Sequence, residues 1–268
     1  MRRHVTAQLT ATVTSPVEAT LGVAVADQVV RNQERLEVTV DGRPVPVTEV
    51  LDRASGTRWH VLRDVPPGEL SVAYDARVED GGAGGAVTDL DRIHFVRPSR
   101  YVDLDRLEAV ARAEVGDVSG EEGVLRVAGW VSGHLSYVLG SSRVTDGASD
   151  TYLKRQGVCR DYAHLTTALL RARGVPARLV GAYAPGLSPM DFHAVVEAAV
   201  DGRWVVVDPT RLAPRPALVR IATGADASET SFLTTHSGGL RFGSITVTAT
   251  VEDGELPTDD HTAPARIG

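Results

Sequence analysis

The chain has little that could brace it covalently or hold it in a bilayer. A single residue of 268 is cysteine, so no internal disulfide can form, which fits a reducing compartment. No stretch approaches the roughly 18 consecutive apolar residues of a membrane-spanning helix. Positive charge is scarce too. The 28 Lys and Arg stand against 35 Asp and Glu, a net charge of −7 and the wrong sign for a nucleic-acid surface. The opening Met1-Arg2-Arg3-His4-Val5-Thr6 carries two arginines but no apolar run behind them. A secretory leader is therefore not expected, and the expected location is cytoplasmic. There is no acidic spacing of the EF-hand kind and no Cys/His cluster suited to zinc, so no metal or cofactor is expected. The glycine run Gly81-Gly82-Ala83-Gly84-Gly85 reads as a flexible loop tip. It lacks the strand–helix frame and the lysine of a phosphate loop.

What is present is 43% apolar content, enough for a packed core of one large domain or two modest ones. Residues 4–14 alternate, with Val5, Ala7, Leu9, Ala11 and Val13 on one face and threonines on the other, as in a half-buried strand. Residues 21–26, 36–40, 59–62 and 70–78 read as further strands. Asp41-Gly42 is a hairpin turn, and Pro44 and Pro46 push the next segment to a sheet edge. The predicted organisation is α+β: a small all-β domain over 1–97, a catalytic domain over 98–252 and a flexible tail over 253–268. Residues 104–115 carry a helical stripe, and Ser119-Gly120-Glu121-Glu122 caps a second helix bearing Trp130 and His134 as i, i+4 neighbours. The polar residues 141–150 read as a loop. Beyond residue 176, strands are expected over 177–183, 192–200, 203–208 and 244–251, with 212–216 irregular because of its prolines.

The lone cysteine sits in Gly157-Val158-Cys159-Arg160-Asp161-Tyr162-Ala163-His164-Leu165. Leu165, Ala168, Leu169 and Ala172 recur at helical spacing, and Gly174 and Pro176 end the helix. Cys159 therefore opens a helix, where unpaired N–H groups and the macrodipole favour a thiolate. A thiolate nucleophile needs a base, and the base a group that orients it. The turn Asp201-Gly202 supplies both. With a two-residue turn Val200 faces Arg203, and counting back puts Val195 opposite Asp208. His193, two residues before Val195, then shares Asp208's face at a diagonal position, within side-chain reach. A register slipped by one would put the two on opposite faces. Cys159 is thus the predicted nucleophile, His193 its base and Asp208 the orienting carboxylate. The Cys159 N–H would be one oxyanion donor, with Trp130 and Gln156 as candidates for the second. His164, five residues past the cysteine, points away and reads as structural. Arg160 and Asp161 read as local pairing or capping residues, and His4, His60, His134, His236 and His261 as surface or packing residues.

These blocks, with Gly174-Val175-Pro176-Ala177-Arg178, His193-Ala194, Trp204 and Asp208-Pro209-Thr210, resemble the bacterial transglutaminase-like superfamily over about residues 98–225. Val195 follows the His-Ala pair where many relatives carry an aromatic residue. The resemblance implies a papain-like transglutaminase core, a cysteine helix packed on an antiparallel sheet, with a triad mapping onto Cys159, His193 and Asp208. It implies acyl-thioester chemistry on a peptide or amide-bearing substrate, while the acidic charge and the lack of a long apolar run lead to no expectation of a nucleic-acid or membrane partner. Water as acceptor makes a hydrolase, slightly favoured, and an amine makes an acyl transferase. A non-catalytic binding protein on the same fold is the third reading. Residues 184–190 are the expected cleft wall, and whether the β domain covers the cleft, binds substrate or forms a dimer stays open.

Overall fold

The structure is a computed structural model that describes residues 1–81 and 85–267, so the middle of the Gly81–Gly85 run lies outside the described residues. Six strands open the chain: β1 (Arg3–Leu21), β2 (Val30–Val40), β3 (Arg43–Pro44), β4 (Val47–Leu51), β5 (Arg58–Val65) and β6 (Gly68–Glu79). Helices α1 (Asp89–His94), α2 (Glu108–Val110), α3 (Gly120–His134), α4 (Ala148–Lys154) and α5 (Cys159–Ala172) follow, with the short strands β7 (Ser136–Tyr137) and β8 (Gln156–Gly157) among them. Strands β9 (Ala177–Tyr183), β10 (Phe192–Val200), β11 (Arg203–Val207), β12 (Val219–Gly224) and β13 (Leu233–Val251) complete the chain.

β1 is the spine of the first module. Its inward residues Val5, Ala7, Leu9, Ala11 and Val13 are all buried, as their alternation requires. Its first half pairs with β6, beyond which lie β2 and β3. After Pro16 the register shifts, and its last residues pair with β5 and then β4. The proline-flanked strands β3 and β4 end the two arms, as their composition predicts.

The chain's last strand corrects the domain boundary. β13 is not a short strand of the catalytic unit over 98–252. It runs 19 residues and pairs along the whole of β1, in the first module's sheet. Val247 and Ala249 lie beside Ala7 and Val5 and extend the same buried face. Alternation reveals which side of a strand is apolar but not which strand it joins. The first half of β13 was hidden by glycines. Gly238 (φ +80°) sits where a Cβ would come within 1.9 Å of the Pro16 carbonyl oxygen, so the bulge opposite Pro16 requires glycine.

Residues 22–26 are likewise not a strand. They leave the sheet as a fully apolar connection buried between the two modules, the N–H of Gly22 bonding the Phe232 carbonyl and that of Ala26 the Arg220 carbonyl. An apolar run buried on all sides reads like a strand, but its polar backbone finds partners elsewhere. Tyr183, Val219 and Ile221 share this buried cluster with Val5, Ala7 and Tyr74, and the Tyr183 hydroxyl donates to the Val23 carbonyl at 2.8 Å. The modules thus share this one buried cluster, while each keeps a core of its own.

The second module is helices on a four-stranded antiparallel sheet of order β11-β10-β9-β12. Leu165, Ala168 and Leu169 of α5 pack with Leu179, Val196 and Ala198 of that sheet. Each fully buried leucine contributes about 1.5–3 kcal/mol. The stripe over 104–115 breaks into a 3₁₀ turn, α2 and a π turn, though Leu104, Leu107, Ala111 and Val115 are buried as expected. Ser119 precedes α3 but makes no side-chain cap bond. Helix α4 begins inside the expected loop of 141–150. Its order comes from one tertiary and one local bond: distant Asp103 accepts from the Ser149 N–H at 3.0 Å, and Asp150 in the helix's first turn accepts from the Gly147 N–H at 3.0 Å. The irregular residues 212–216 run into a 3₁₀ turn, Arg215–Ala217.

The expected loose tail is also corrected. Buried Arg215 donates to both Asp259 carboxylate oxygens at 2.8 Å and to the Ala263 carbonyl at 2.8 Å. The Val206 N–H bonds the Ala265 carbonyl, and Ile267 is buried. A Pro/Asp/Thr-rich composition predicts weak local structure, yet here it supplies the partners a buried guanidinium requires. Among the described residues no helix is long and apolar enough to cross a membrane.

Candidate active site

Helix α5 starts at Cys159 because the preceding residues are fixed to its first turn. The Asp161 carboxylate, buried, accepts the Val158 N–H at 2.8 Å and the Ser142 hydroxyl at 2.9 Å. Gly157 makes room for it, since a Cβ there would meet the Asp161 Cβ at 2.5 Å. Arg160 turns away from the reacting group and donates to the Arg143 and Asp146 carbonyls, with its guanidinium over the Tyr101 ring. Both residues hold the helix start in place. Cys159 is half-buried, neither sealed in the core nor fully open. As the first helical residue, it presents an N–H that no carbonyl of α5 can accept.

The hairpin has the register derived from its turn. Asp201 (φ 49°) and Gly202 (φ 75°) form a two-residue turn with both residues left-handed, and Val200 faces Arg203. His193 Nε2 and Asp208 Oδ2 meet at 2.8 Å, both side chains fully buried. The other Asp208 oxygen accepts the Thr210 N–H at 2.9 Å and its hydroxyl at 2.7 Å. Burial opposes charge on His193. The Asp208 carboxylate and its hydrogen bond outweigh it and, with a smaller contribution from Cys159, raise the imidazole to about 10. Burial likewise works against the Asp208 carboxylate, and the imidazolium and Thr210 overcome it, so its pKa is lowered. A raised histidine stabilises the fold fully below its unfolded pKa of about 6.5 and loses that contribution as pH rises through about 10. With Nε2 held by Asp208, the buried Nδ1 has no hydrogen-bond partner among the described residues.

Trp130 and Gln156 are placed differently. Trp130 stacks on His134 at 4.4 Å, and His134 on Tyr152 at 5.1 Å. Gln156 is exposed, and neither side chain makes a hydrogen bond among the described residues. A tyrosine that the sequence reading passed over stands at the cysteine instead. Strand β7 pairs parallel to β8, with Tyr137 beside Gly157, and the Val138 N–H bonds the Gly157 carbonyl at 3.0 Å. Burial and the neighbouring Cys159 raise the Tyr137 phenol to about 12. The signal was a two-residue parallel pairing across 20 residues, which no periodicity reveals.

His164 is structural, as its helix position predicts. It is buried against Tyr101 and accepts the Ala227 N–H at 3.2 Å. Burial, reinforced by Arg160, lowers it to about 3. A lowered histidine costs stability as pH falls below about 6.5, because the unfolded chain takes up a proton that the folded one refuses.

A cysteine opening a helix, beside a buried His–Asp couple on an antiparallel sheet, is the layout of a papain-like thiol fold. The model of the transglutaminase-like superfamily matches residues 108–209, a span that holds all three side chains. A crystal structure from Cytophaga hutchinsonii, described as a "putative cysteine protease", superposes with a TM-score of 0.87 at 31% identity, covering 98% of this chain and 95% of that one. The chain belongs to the transglutaminase-like superfamily. An uncharacterised protein of Mycobacterium leprae is 34% identical over 121 residues, 43% of this chain and 42% of that protein. One from Mycobacterium tuberculosis is 42% identical over 48 residues, 18% of this chain and 15% of that protein. The chain thus matches less than half the length of these curated relatives.

Proposed function

We propose that the protein is a thiol-dependent hydrolase of amide or peptide bonds, working through Cys159, His193 and Asp208. The observation that supports this reading is the imidazole clamped at Nε2 by Asp208, with its buried Nδ1 free of any partner among the described residues. The Cys159 thiolate adds to the acyl carbonyl, forming a C–S bond and an oxyanion. The Cys159 N–H at the helix start and the hydroxyl of neighbouring Tyr137 are the donors assigned to that oxyanion. His193 gives its Nδ1 proton to the leaving amine as the C–N bond breaks, leaving a thioester. Neutral His193 then takes a proton from water, which adds to the thioester, and the acid departs as the thiolate reforms. The described relationship of the Cytophaga hutchinsonii protein to cysteine proteases favours water as acceptor.

Product analysis with peptidyl coumarin amides, with and without a primary amine, separates the outcomes. Release of the free acid in both conditions is expected. A peptide–amine conjugate as main product would make the protein an acyl transferase. No release from any amide or ester, with Cys159 open to alkylation, would reject catalysis.

A further inference from the structure

Among the described residues, two strands have long outer edges without a partner strand, β2 and β13. β2 meets β3 only at Thr39 and Val40, and the rest of its outer edge, Val30 to Glu37, is blunted by Arg31, Glu34, Arg35 and Glu37 and by a register shift. β3 is two residues long and ends on Pro44, and β4 is five residues long, with Glu49 ion-paired to Arg58. The outer edge of β11 is covered by the tail, where the Val206 N–H meets the Ala265 carbonyl. That of β12 is covered by the first module, through Ala26 N–H to the Arg220 carbonyl and Thr223 N–H to the Thr57 hydroxyl at 3.1 Å. β13 differs. It pairs with β1 alone, so its far edge is bare among the described residues. Exposed edges are normally blunted by proline, by charge or by shortness. β13 has 19 residues, no proline, and Arg241 as its one Lys, Arg, Asp or Glu. Bulges interrupt its first half, but Ser244 to Val251 runs opposite Thr10 to Arg3 without a register shift.

We propose that this bulge-free edge of β13 pairs antiparallel with the same edge of a second copy of the chain, fusing two first-module sheets across a two-fold axis. Self-pairing of an antiparallel strand is isologous, so one surface serves both partners. The strand alternates apolar residues with Ser244, Thr246, Thr248 and Thr250. It already carries a hydroxyl ladder to β1, Thr6 to Thr248 at 2.7 Å and Thr10 to Ser244 at 2.9 Å. Cross-strand Thr pairs of this kind would continue into the partner. Charge fits the same arrangement. Arg241 lies just before the straight segment, and Glu252, Asp253 and Glu255 lie just after it. A two-fold centred on Val247 or Thr248 brings the Arg241 end of one copy beside the Glu252–Glu255 end of the other. Either way a cation meets an acidic end twice per dimer.

Sedimentation equilibrium of the full chain over a micromolar series tests this, with thermal melts confirming that each variant is folded. The parent is expected at twice the chain mass. Arg241→Glu replaces both attractions with repulsions and is expected to weaken the dimer by about tenfold or more. Adding Asp253→Arg and Glu255→Arg to Arg241→Glu is expected to restore it. A monomeric parent, whether or not it binds a free peptide of the β13 sequence, overturns the proposal. So does an Arg241→Glu variant as dimeric as the parent, or a triple variant no more dimeric than Arg241→Glu alone. None of these readouts depends on catalysis.

Discussion

Cys159→Ala is expected to lower amide hydrolysis on the order of 10⁴–10⁶-fold while leaving the melting temperature nearly unchanged. The side chain is half-buried, so its loss opens no core cavity. His193→Ala should cost a comparable factor, and the double variant little more, because nucleophile and base act as a unit. Asp208→Asn is the more informative change. Both Asp208 oxygens accept, one from His193 Nε2 and one from the Thr210 N–H. An amide offers one oxygen only, so its NH₂ group must confront the ring N–H or the Thr210 N–H. The imidazole then loses its orientation or its charge partner, and a loss of about 10²–10⁴-fold is expected. Rates from purified variants on one coumarin amide decide it, and a Cys159→Ala protein within tenfold of the parent would refute the triad.

Glu197→Ala is expected to destabilise the fold by about 3–5 kcal/mol, a large part of the roughly 5–15 kcal/mol that holds a typical domain together. Glu197 is buried between Arg178 and Arg220, accepting from Arg178 Nε at 2.9 Å and Arg220 Nη1 at 3.0 Å. Burial alone would raise its pKa, but the Arg220 and Arg178 charges win and hold it at about 2. Removing it strands two guanidiniums in the interior, one of them stacked 3.8 Å over Trp204. The sign with pH follows. A lowered carboxylate contributes stability above its unfolded pKa of about 4.3, and the contribution is lost as pH falls through about 2. Urea denaturation at neutral pH measures the effect, and a loss below about 1 kcal/mol would show that the two arginines find other partners.

The contrast between hairpin and last strand shows what the sequence reading could reach. Asp201-Gly202 carries its register in two residues, because left-handed φ at both positions fixes a two-residue loop and hence which face His193 and Asp208 share. The cysteine helix was legible for a similar reason, since its apolar spacing and Gly174 (φ 75°) set its length locally. β13 was only half legible, because its partner lies more than 200 residues away and glycine bulges break its alternation. The tail was misjudged because the buried Arg215 that orders Asp259 is a tertiary fact. Tyr137 was missed for want of any local pattern: a two-residue strand brings it to Cys159. Contacts set by turns and helical spacing could be read in advance, and contacts set by distant pairing could not.

The most direct test of the Cys159–His193 pairing needs no substrate. Iodoacetamide alkylation of Cys159, the one thiol present, would be followed by intact mass at neutral pH in the parent and in His193→Ala. If the imidazolium holds the thiolate, the variant is expected to react at least about tenfold more slowly, since the thiolate is the reacting species. Equal rates in the two proteins would contradict the pairing and leave the cysteine without its base.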